Sequence, residues 1–348
     1  MSDRQRRVGI LYSSPMAGTA QLAEAGGVPR EWLLGASDLE GHGWTPVYCQ
    51  SPSGPLGRVC RGHLWRVYQA VWACLDPRLD VVVAPTETAG LPAALARRLG
   101  LLRKPLLVQN VAMLRPRGRI LTLLWRIAAP SVDLFASYAS CHVARLAQRL
   151  GLPAHRSQAL LAGVDAHFWT ARDSSEPEVV DVLALGSNLA KDFPTVIEAM
   201  PPGRRLTVVT DPLNAAVIGD PAQGVRVLVD VHVAELRRLL AACELVAIPL
   251  RDVGASAGHL TLLAASAMGK PIVVTGADFV MDYVSSLVVA TPAEGDVAAW
   301  REAFSETAAT RPQVTSMPAV RTVDDWSKDL GSLLSGLVAA VDGPRSAP

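Results

Sequence analysis

Short apolar runs bounded by turn residues alternate with longer stretches of helical periodicity along the first half of the chain. The apolar runs have the length and composition of buried strands. They cover residues 8–12, 46–49, 80–84, 105–108 and 134–136. The stretches at 30–39, 91–99 and 120–128 predict helices. This order predicts a βαβ series with a parallel sheet.

A second series of the same kind follows a Ser/Glu/Pro segment at 173–177. Its predicted strands are 179–185, 206–210, 225–229, 245–248 and 271–275, and its predicted helices are 194–200, 234–242 and 259–268. We therefore predict an α/β protein with two Rossmann-like parallel-sheet domains, 1–168 and 169–321, facing each other across a cleft. Ligands of open parallel sheets bind at the carboxyl ends of the strands, which places a site in that cleft.

A last helix is predicted at 322–341. Its apolar residues follow helical spacing from Trp326 to Val341, after a capping signal formed by Thr322 and Asp325. Two roles stay open for it: one more helix that packs on the core, or a brace that packs back on the first domain.

Composition and charge narrow the class of protein. The 348 residues are 50% hydrophobic with a net charge of +1, which suits two domains and gives no reason to expect a nucleic-acid partner. Five cysteines without a C-x-x-C pair indicate a reducing compartment. The first residues lead directly into a strand, and no run reaches the roughly 18 apolar residues of a membrane span. We expect a cytoplasmic protein, and the Ala-, Val-, Leu-, Arg- and Pro-rich usage suggests a bacterial source.

Several motifs are absent from the sequence. There is no G-x-G-x-x-G after the first strand, no phosphate-binding G-x-x-x-x-G-K-[ST], no H-E-x-x-H, and no pair of Asp separated by one residue. We therefore expect no dinucleotide, no ATPase chemistry and no catalytic metal.

The turn from Gly254 to Gly258 is the main candidate for chemistry. It satisfies G-x-S-x-G, the spelling of a hydrolase nucleophile elbow, with Ser256 as nucleophile. Residues 249–253 separate it from the preceding strand, and no histidine follows His259, so the hydrolase is the weaker hypothesis. Small residues before a helix N-terminus instead suit an anion such as a diphosphate. An ordinary tight loop is the third possibility.

Several segments together resemble family 4 glycosyltransferases, which have the GT-B fold. The donor-domain signature is carried by Glu235-Leu-Arg-Arg-Leu-Leu, by the small-residue turn, and by Leu262-Leu-Ala-Ala-Ser-Ala-Met-Gly-Lys-Pro271 with Asp282-Tyr-Val284. The other segments are the hinge-like 161–168, the first donor-domain turn at 185–193, and the glycine pairs at 26–27 and 41–43. The resemblance implies metal-independent, retaining transfer from a UDP-, GDP- or dTDP-linked sugar, with the donor in the C-terminal domain and the acceptor in the N-terminal one.

The resemblance also implies the site residues. Lys191 would neutralise the phosphates and, with Asn110, form the catalytic pair. The implied donor-binding residues are Gly27, Gly186, Ser187, Asn188, Lys191, Ser256, Ala257, Gly258, His259 and Leu260. Gly27 would let a loop of the first domain close on the phosphates, and His259 would contact the sugar.

The sequence departs from the family in three places. The paired glutamates of an E-x7-E motif fall on Ser256 and Ala264, so the carboxylate that would hold the ribose is missing. Ser187-Asn188 stands where the family has an arginine, and Gln109-Asn110 stands where it often has a histidine. Either the donor is held in an altered way, or the chain is a non-catalytic partner that has lost donor chemistry.

The acceptor is predicted only as a small molecule or a lipid. Arg115, Arg117 and Arg119 precede an apolar helix, and this 113–126 region either touches anionic lipid or packs as a buried helix behind a solvated basic loop. At most a peripheral membrane contact is expected there. Four tryptophans of the first domain suit either an acceptor pocket or the core: Trp32, Trp44, Trp65 and Trp72.

Overall fold

The computed structural model describes residues 5–52, 60, 62–116, 118–170, 180–187, 190–220, 223–310 and 319–342. They form two compact units. Unit 1 takes the chain up to Ala25, then Arg30–Ala162, and the last helix from Val323 onward. Unit 2 takes Gly26–Pro29 and Gly163–Thr322. Unit 2 thus begins at Gly163, earlier than the boundary expected after 168, and the segment 173–177 lies outside the described residues.

Unit 1 is built on a six-stranded sheet in which every neighbouring pair is parallel. Its strands are β1 (Arg6–Ile10), β2 (Trp44–Tyr48), β3 (Val81–Ala84), β4 (Leu106–Asn110), β5 (Leu134–Ser137) and β6 (Ser157–Ala159), in the order β2-β1-β3-β4-β5-β6. Strands β3 and β4 are buried along their whole length, because helices cover a parallel sheet. The predicted parallel sheet is confirmed.

Among the described residues before Gly163, unit 1 has five α-helices. They are α1 (Ala17–Glu24), α2 (His63–Leu75), α3 (Glu87–Arg98), α4 (Arg119–Ala128) and α5 (Ser140–Leu150). The predicted helix at 30–39 is wrong: the chain forms 3-10 turns at Arg30–Leu33 and Leu39–His42. Leu34 and Gly35 between them have positive φ, which a right-handed helix does not allow.

Unit 2 has a second all-parallel six-stranded sheet. Its strands are β7 (Val180–Leu185), β8 (Leu206–Thr210), β9 (Val225–Val229), β10 (Cys243–Ile248), β11 (Ile272–Val274) and β12 (Val288–Ala290), in the order β12-β11-β10-β7-β8-β9. Its helices are α6 (Phe193–Ala199), α7 (Pro212–Ile218), α8 (Val233–Ala242), α9 (His259–Ala267) and α10 (Val297–Thr310). The strand order reverses between β7 and β10, and such a switch point is where open parallel sheets bind ligands.

The last helix, α11 (Val323–Asp342), packs within unit 1. The Trp326 ring is fully buried and meets Tyr138 edge to face, with 5.6 Å between ring centroids. The indole of Trp44 donates to the carbonyl of Gly331 at 3.2 Å. Helix α11 therefore belongs to the core of the first unit, although it follows the second unit in sequence. None of the helices in the described part of the chain is long and apolar enough to cross a membrane.

Candidate functional site

The loops that follow β7 and β10 lie side by side at the switch point of unit 2. Lys191 and Leu250 form an isolated antiparallel bridge between them. Arg251 N donates to the carbonyl of Ala190 at 2.8 Å, and Asp192 N donates to the carbonyl of Pro249 at 3.2 Å. These backbone bonds fix Lys191 against the segment that leads into α9.

The side chain of Lys191 is buried in this loop pair. It is 4% exposed, and its Nζ has no hydrogen-bond partner among the residues that the structure describes. Burial lowers the pKa of Lys191 to about 8. Gly186 makes room for it, because a Cβ on Gly186 would lie 1.9 Å from Lys191 Cε. The glycine also has a φ of +145°, which other residues rarely adopt. An unpaired ammonium is costly to bury, so the arrangement calls for an anion.

His259 is the first residue of α9 and is also buried. Its ring stacks on Tyr283 at a centroid distance of 5.3 Å. Burial, reinforced by the nearby charge of Lys191, lowers the pKa of His259 to about 4. His259 is therefore neutral at pH 7, and Lys191 supplies the positive charge of this buried pair.

Side chains at the strand ends hold the two loops in place. The Thr210 hydroxyl donates to the carbonyl of Gly186 at 2.8 Å, and the Thr275 hydroxyl accepts from Leu250 N at 2.8 Å. The carboxylate of Asp192 accepts from Thr195 Oγ1 and from Arg251. Asp192 is thus already engaged, which leaves Lys191 without a neutralising acid from its own sequence neighbour. The sequence analysis did not predict these supporting side chains. The position of Thr210 and Thr275 at the ends of predicted strands is the signal that could have identified them.

The turn before α9 brings its small residues to the same place. Ser256 and Ala257 are buried, and Gly258 has a φ of +79°. A Cβ on Gly258 would come within 2.8 Å of Leu250 Cδ1, so the close approach of the turn to the β10 loop requires glycine. Gly258 caps α9 without a side chain, and the first turn of α9 presents backbone N–H groups with the positive end of the helix dipole. Leu260 is half-buried in that first turn.

The hydrolase spelling of this turn lacks the geometry that an elbow needs. Strand β10 ends at Ile248, and residues 249–255 intervene before Ser256. In an elbow the nucleophile sits on the sharp turn directly between strand and helix. Ser256 instead lies within the loop that Leu250 and Gly258 hold together.

Tyr283, on which His259 stacks, also lines a cavity of about 360 Å³. Leu263 and Ser266 of α9 line it together with Asp282–Ser286 and with Ala319, Val320 and Arg321. Asp282 brings a carboxylate and Tyr283 an aromatic ring to this cavity. Ala264, which by the resemblance stands in place of a glutamate, is buried in α9 and has only a methyl group as its side chain.

The structure brings only some of the predicted site residues together. Gly186, Lys191, Gly258 and His259 come together in unit 2 as described above. Ser187 is exposed next to Gly186, Asn188 lies outside the described residues, and the exposed Gly27 belongs to the short segment that is grouped with unit 2.

Asn110 lies in unit 1, where its amide is used by the fold. Its Nδ2 donates to Ser137 Oγ at 3.1 Å, and its Oδ1 accepts from Met113 N at 2.8 Å. The side chain is almost fully buried. Neighbouring Gln109 accepts from the Tyr138 hydroxyl. These bonds tie β4 to β5 and to the segment that leads towards α4, and the catalytic role expected for Asn110 stays a prediction.

Comparison with known proteins identifies the fold. The chain matches no protein-family model and no curated protein. Among solved structures it is similar to Anabaena HepE in complex with UDP-glucose, with a TM-score of 0.59 and 17% identity over 97% of this chain and 98% of that one.

Two further structures extend the comparison. A glycosyltransferase from Rickettsia africae has a TM-score of 0.60 at 10% identity over 97% and 94% of the two chains. UDP-GlcNAc 2-epimerase from Neisseria meningitidis bound to UDP-GlcNAc has a TM-score of 0.54 at 10% identity over 95% and 100%. The chain therefore has the GT-B fold with two Rossmann-like domains.

Proposed function

We propose that this protein is a glycosyltransferase that takes a sugar from a nucleotide-sugar donor held in unit 2 and passes it, with retention, to a small-molecule or lipid acceptor. The observation that carries the proposal is the buried Lys191 ammonium, which has no partner among the described residues at the switch point of the unit 2 sheet. The similar GT-B structures bound to UDP, UDP-glucose and UDP-GlcNAc support it.

A diphosphate suits the chemistry of this place. An ammonium buried without a partner is unfavourable, and a phosphate oxygen would supply both the counter-charge and the missing hydrogen-bond acceptor. The first turn of α9 adds backbone donors and a positive dipole end. Because these groups are fixed before the ligand arrives, they cost no reorganisation when charge develops on the leaving diphosphate.

The proposed reaction needs little covalent chemistry from the protein. The bond between the anomeric carbon and the diphosphate breaks while the acceptor oxygen approaches on the same face, and the leaving oxygen takes the acceptor's proton. Lys191 stabilises the departing charge, so the proposal assigns that role to an ammonium rather than to a metal ion. We assign to His259, which is neutral at pH 7 and stacks on Tyr283, a hydrogen bond to a sugar hydroxyl.

The nucleoside is assigned to the cavity of about 360 Å³ lined by Leu263, Ser266 and Asp282. With Ser256 and Ala264 in the glutamate positions of the family, Asp282 is the carboxylate that this cavity offers to a ribose. The same replacement motivates the second candidate function, a non-catalytic GT-B partner protein. Because epimerases are among the similar structures, the experiment must also distinguish a third function, epimerisation of the nucleotide sugar.

The test is titration calorimetry with UDP, GDP and dTDP, followed by product analysis with the corresponding nucleotide sugars. Binding of one nucleotide that Lys191→Met abolishes is the expected result. The matched control is Arg238→Met, which removes an exposed cation of unit 2 and leaves binding unchanged.

The outcomes separate the candidate functions. Release of a free nucleoside diphosphate together with a glycosylated product supports the transferase, whereas an epimerised nucleotide sugar without acceptor identifies an epimerase. No response to any nucleotide would leave the non-catalytic partner and refute the proposal. Labelling of Ser256 by a fluorophosphonate would restore the hydrolase.

A further inference from the structure

Helix α4 of unit 1 exposes a row of large apolar side chains. Ile120, Leu123 and Ile127 are 78%, 58% and 45% exposed, and their spacing puts them on one face of the helix. The opposite face is anchored by Trp125, which is buried against Phe135. Helix α4 is therefore amphipathic with an uncovered apolar face, and the buried-helix alternative for the 113–126 region does not hold for these side chains.

Basic residues surround this face. Arg115, Arg119 and Arg126 are exposed, and the structure gives none of them an acidic partner within the part of the chain that it describes. The sequence from 88 to 164 holds eleven Lys and Arg residues but one acid, Asp133, which pairs with Arg97. Since the whole chain has a net charge of +1, the segment that contains α4 is more basic than the rest of the chain.

A cavity adjoins the same helix. It has a volume of about 390 Å³ and is lined by Met113, Thr122, Trp125, Arg126, Arg149 and Leu150. The guanidinium of Arg149 is held by the carbonyls of Leu114 and Arg115 at 3.1 and 3.2 Å. Two guanidinium groups thus meet apolar walls in one cavity, which matches a phosphate joined to an acyl chain.

We propose that the exposed face of α4 docks on an anionic membrane surface, with Ile120, Leu123 and Ile127 entering the boundary of the acyl region and a lipid phosphate held between Arg126 and Arg149. Apolar side chains and arginines on one helix face are the combination that binds such a surface. The exposed apolar row favours lipid over nucleic acid, because the phosphate backbone of a nucleic acid has no apolar surface on which these side chains could be buried. The proposal does not depend on the transferase function, since docking requires no nucleotide.

The experiment is flotation of the full chain with vesicles of phosphatidylcholine alone and of phosphatidylcholine and phosphatidylglycerol in equal parts. The protein is expected to float with the anionic vesicles, and less so as salt is raised. Ile120→Ser/Leu123→Ser/Ile127→Ser should weaken partitioning at least about a hundredfold. Arg126→Glu should weaken it at least about tenfold, whereas Arg126→Lys should retain it.

Matched controls come from exposed residues elsewhere in the chain. Leu213→Ser/Val217→Ser removes apolar side chains of α7 that are 71% and 67% exposed, and Lys328→Glu reverses an exposed charge on α11. Both controls should float like the wild type. A circular dichroism melt checks that every variant is folded, which is expected because the substituted side chains are exposed.

Three results would overturn the proposal. The first is no flotation with anionic vesicles, and the second is flotation that the α4 variants leave unchanged. The third uses a single-stranded RNA oligonucleotide as a second probe: RNA binding that Arg126→Glu abolishes, without vesicle binding, would assign the basic surface to nucleic acid instead.

Discussion

Replacing Lys191 by Met should stabilise the empty protein while abolishing nucleotide binding. Lys191 is 4% exposed, and its ammonium has no hydrogen-bond partner among the described residues, so folding removes this charge from water without compensation. Methionine has nearly the same length and no charge, and it fills the space that Gly186 leaves open.

The size of the effect follows from the pKa of Lys191. Burial lowers this pKa from its ordinary 10.5 to about 8. At about 1.4 kcal/mol per pKa unit, the difference corresponds to about 3 kcal/mol. Between pH 8 and 10.5 the unfolded chain binds the proton more tightly than the folded one, so wild-type stability rises with pH in that window. Below pH 8 the full cost is present.

The assay is urea unfolding of wild type and Lys191→Met at pH 7 and again near pH 10. At pH 7 the variant should be more stable by about 3 kcal/mol, which for a unit of this size is roughly 6 to 12 °C in Tm. The gap should shrink towards pH 10 as the wild-type lysine loses its proton. Lys270→Met is the control, because Lys270 Nζ donates to the carbonyls of Ala241 and Cys243 at 2.5 and 2.9 Å.

The control should move in the opposite direction. Losing the Lys270 hydrogen bonds leaves two carbonyls unsatisfied and should destabilise the protein by about 1 to 3 kcal/mol. A Lys191→Met variant that is less stable than the wild type at pH 7 would contradict the reasoning. So would a stability gain that does not change between pH 7 and pH 10, because the gain would then not come from the charge.

Three further predictions concern the same unit. Gly186→Ala should push Lys191 out of its place and weaken nucleotide binding at least about tenfold; Gly219→Ala, which also has positive φ but open space around it, should leave binding unchanged in the same calorimetry. Titration of His259 should lower wild-type stability by about 3 kcal/mol from pH 6.5 to 4, because the unfolded chain protonates His259 before the folded chain does. In urea unfolding, His259→Phe should lose this part of the acid dependence. Asp282→Asn should cost about 1 to 3 kcal/mol of nucleotide affinity in the same calorimetry; unchanged affinity would remove Asp282 from the ribose.

The sheets could be predicted from the sequence because buried parallel strands appear as short apolar runs flanked by turn residues. The strands at 206–210 and 225–229 have the bounds that the apolar runs predict, since turn residues flank both. The turn before α9 could also be predicted, because small residues followed by a helix are a local pattern. Lys191 was predicted from the resemblance, because it stands where the family has a phosphate-contacting base.

The features that the sequence did not predict depend on distant partners. The break at Leu34 and Gly35 arises where Trp326 packs: a Cβ on Gly35 would lie 2.8 Å from the indole nitrogen. That tryptophan is almost three hundred positions away in the chain. Asn110 could be located by resemblance, but the bonds that occupy its amide come from Ser137 and Met113. Contacts of this kind leave no periodicity to detect.

The buried charge of Lys191 in unit 2 lowers the stability of the empty protein and at the same time favours binding of an anion. Gly186 admits the Lys191 side chain, Asp192 engages its carboxylate with Thr195 and Arg251, and His259 stays neutral at pH 7. The result is one unneutralised charge whose burial weakens the empty protein. A diphosphate supplies the missing counter-charge, so binding recovers what folding loses. An acid that paired with Lys191 would therefore stabilise the unliganded unit and compete with the anion, and a substitution at this lysine can improve one property only by giving up the other.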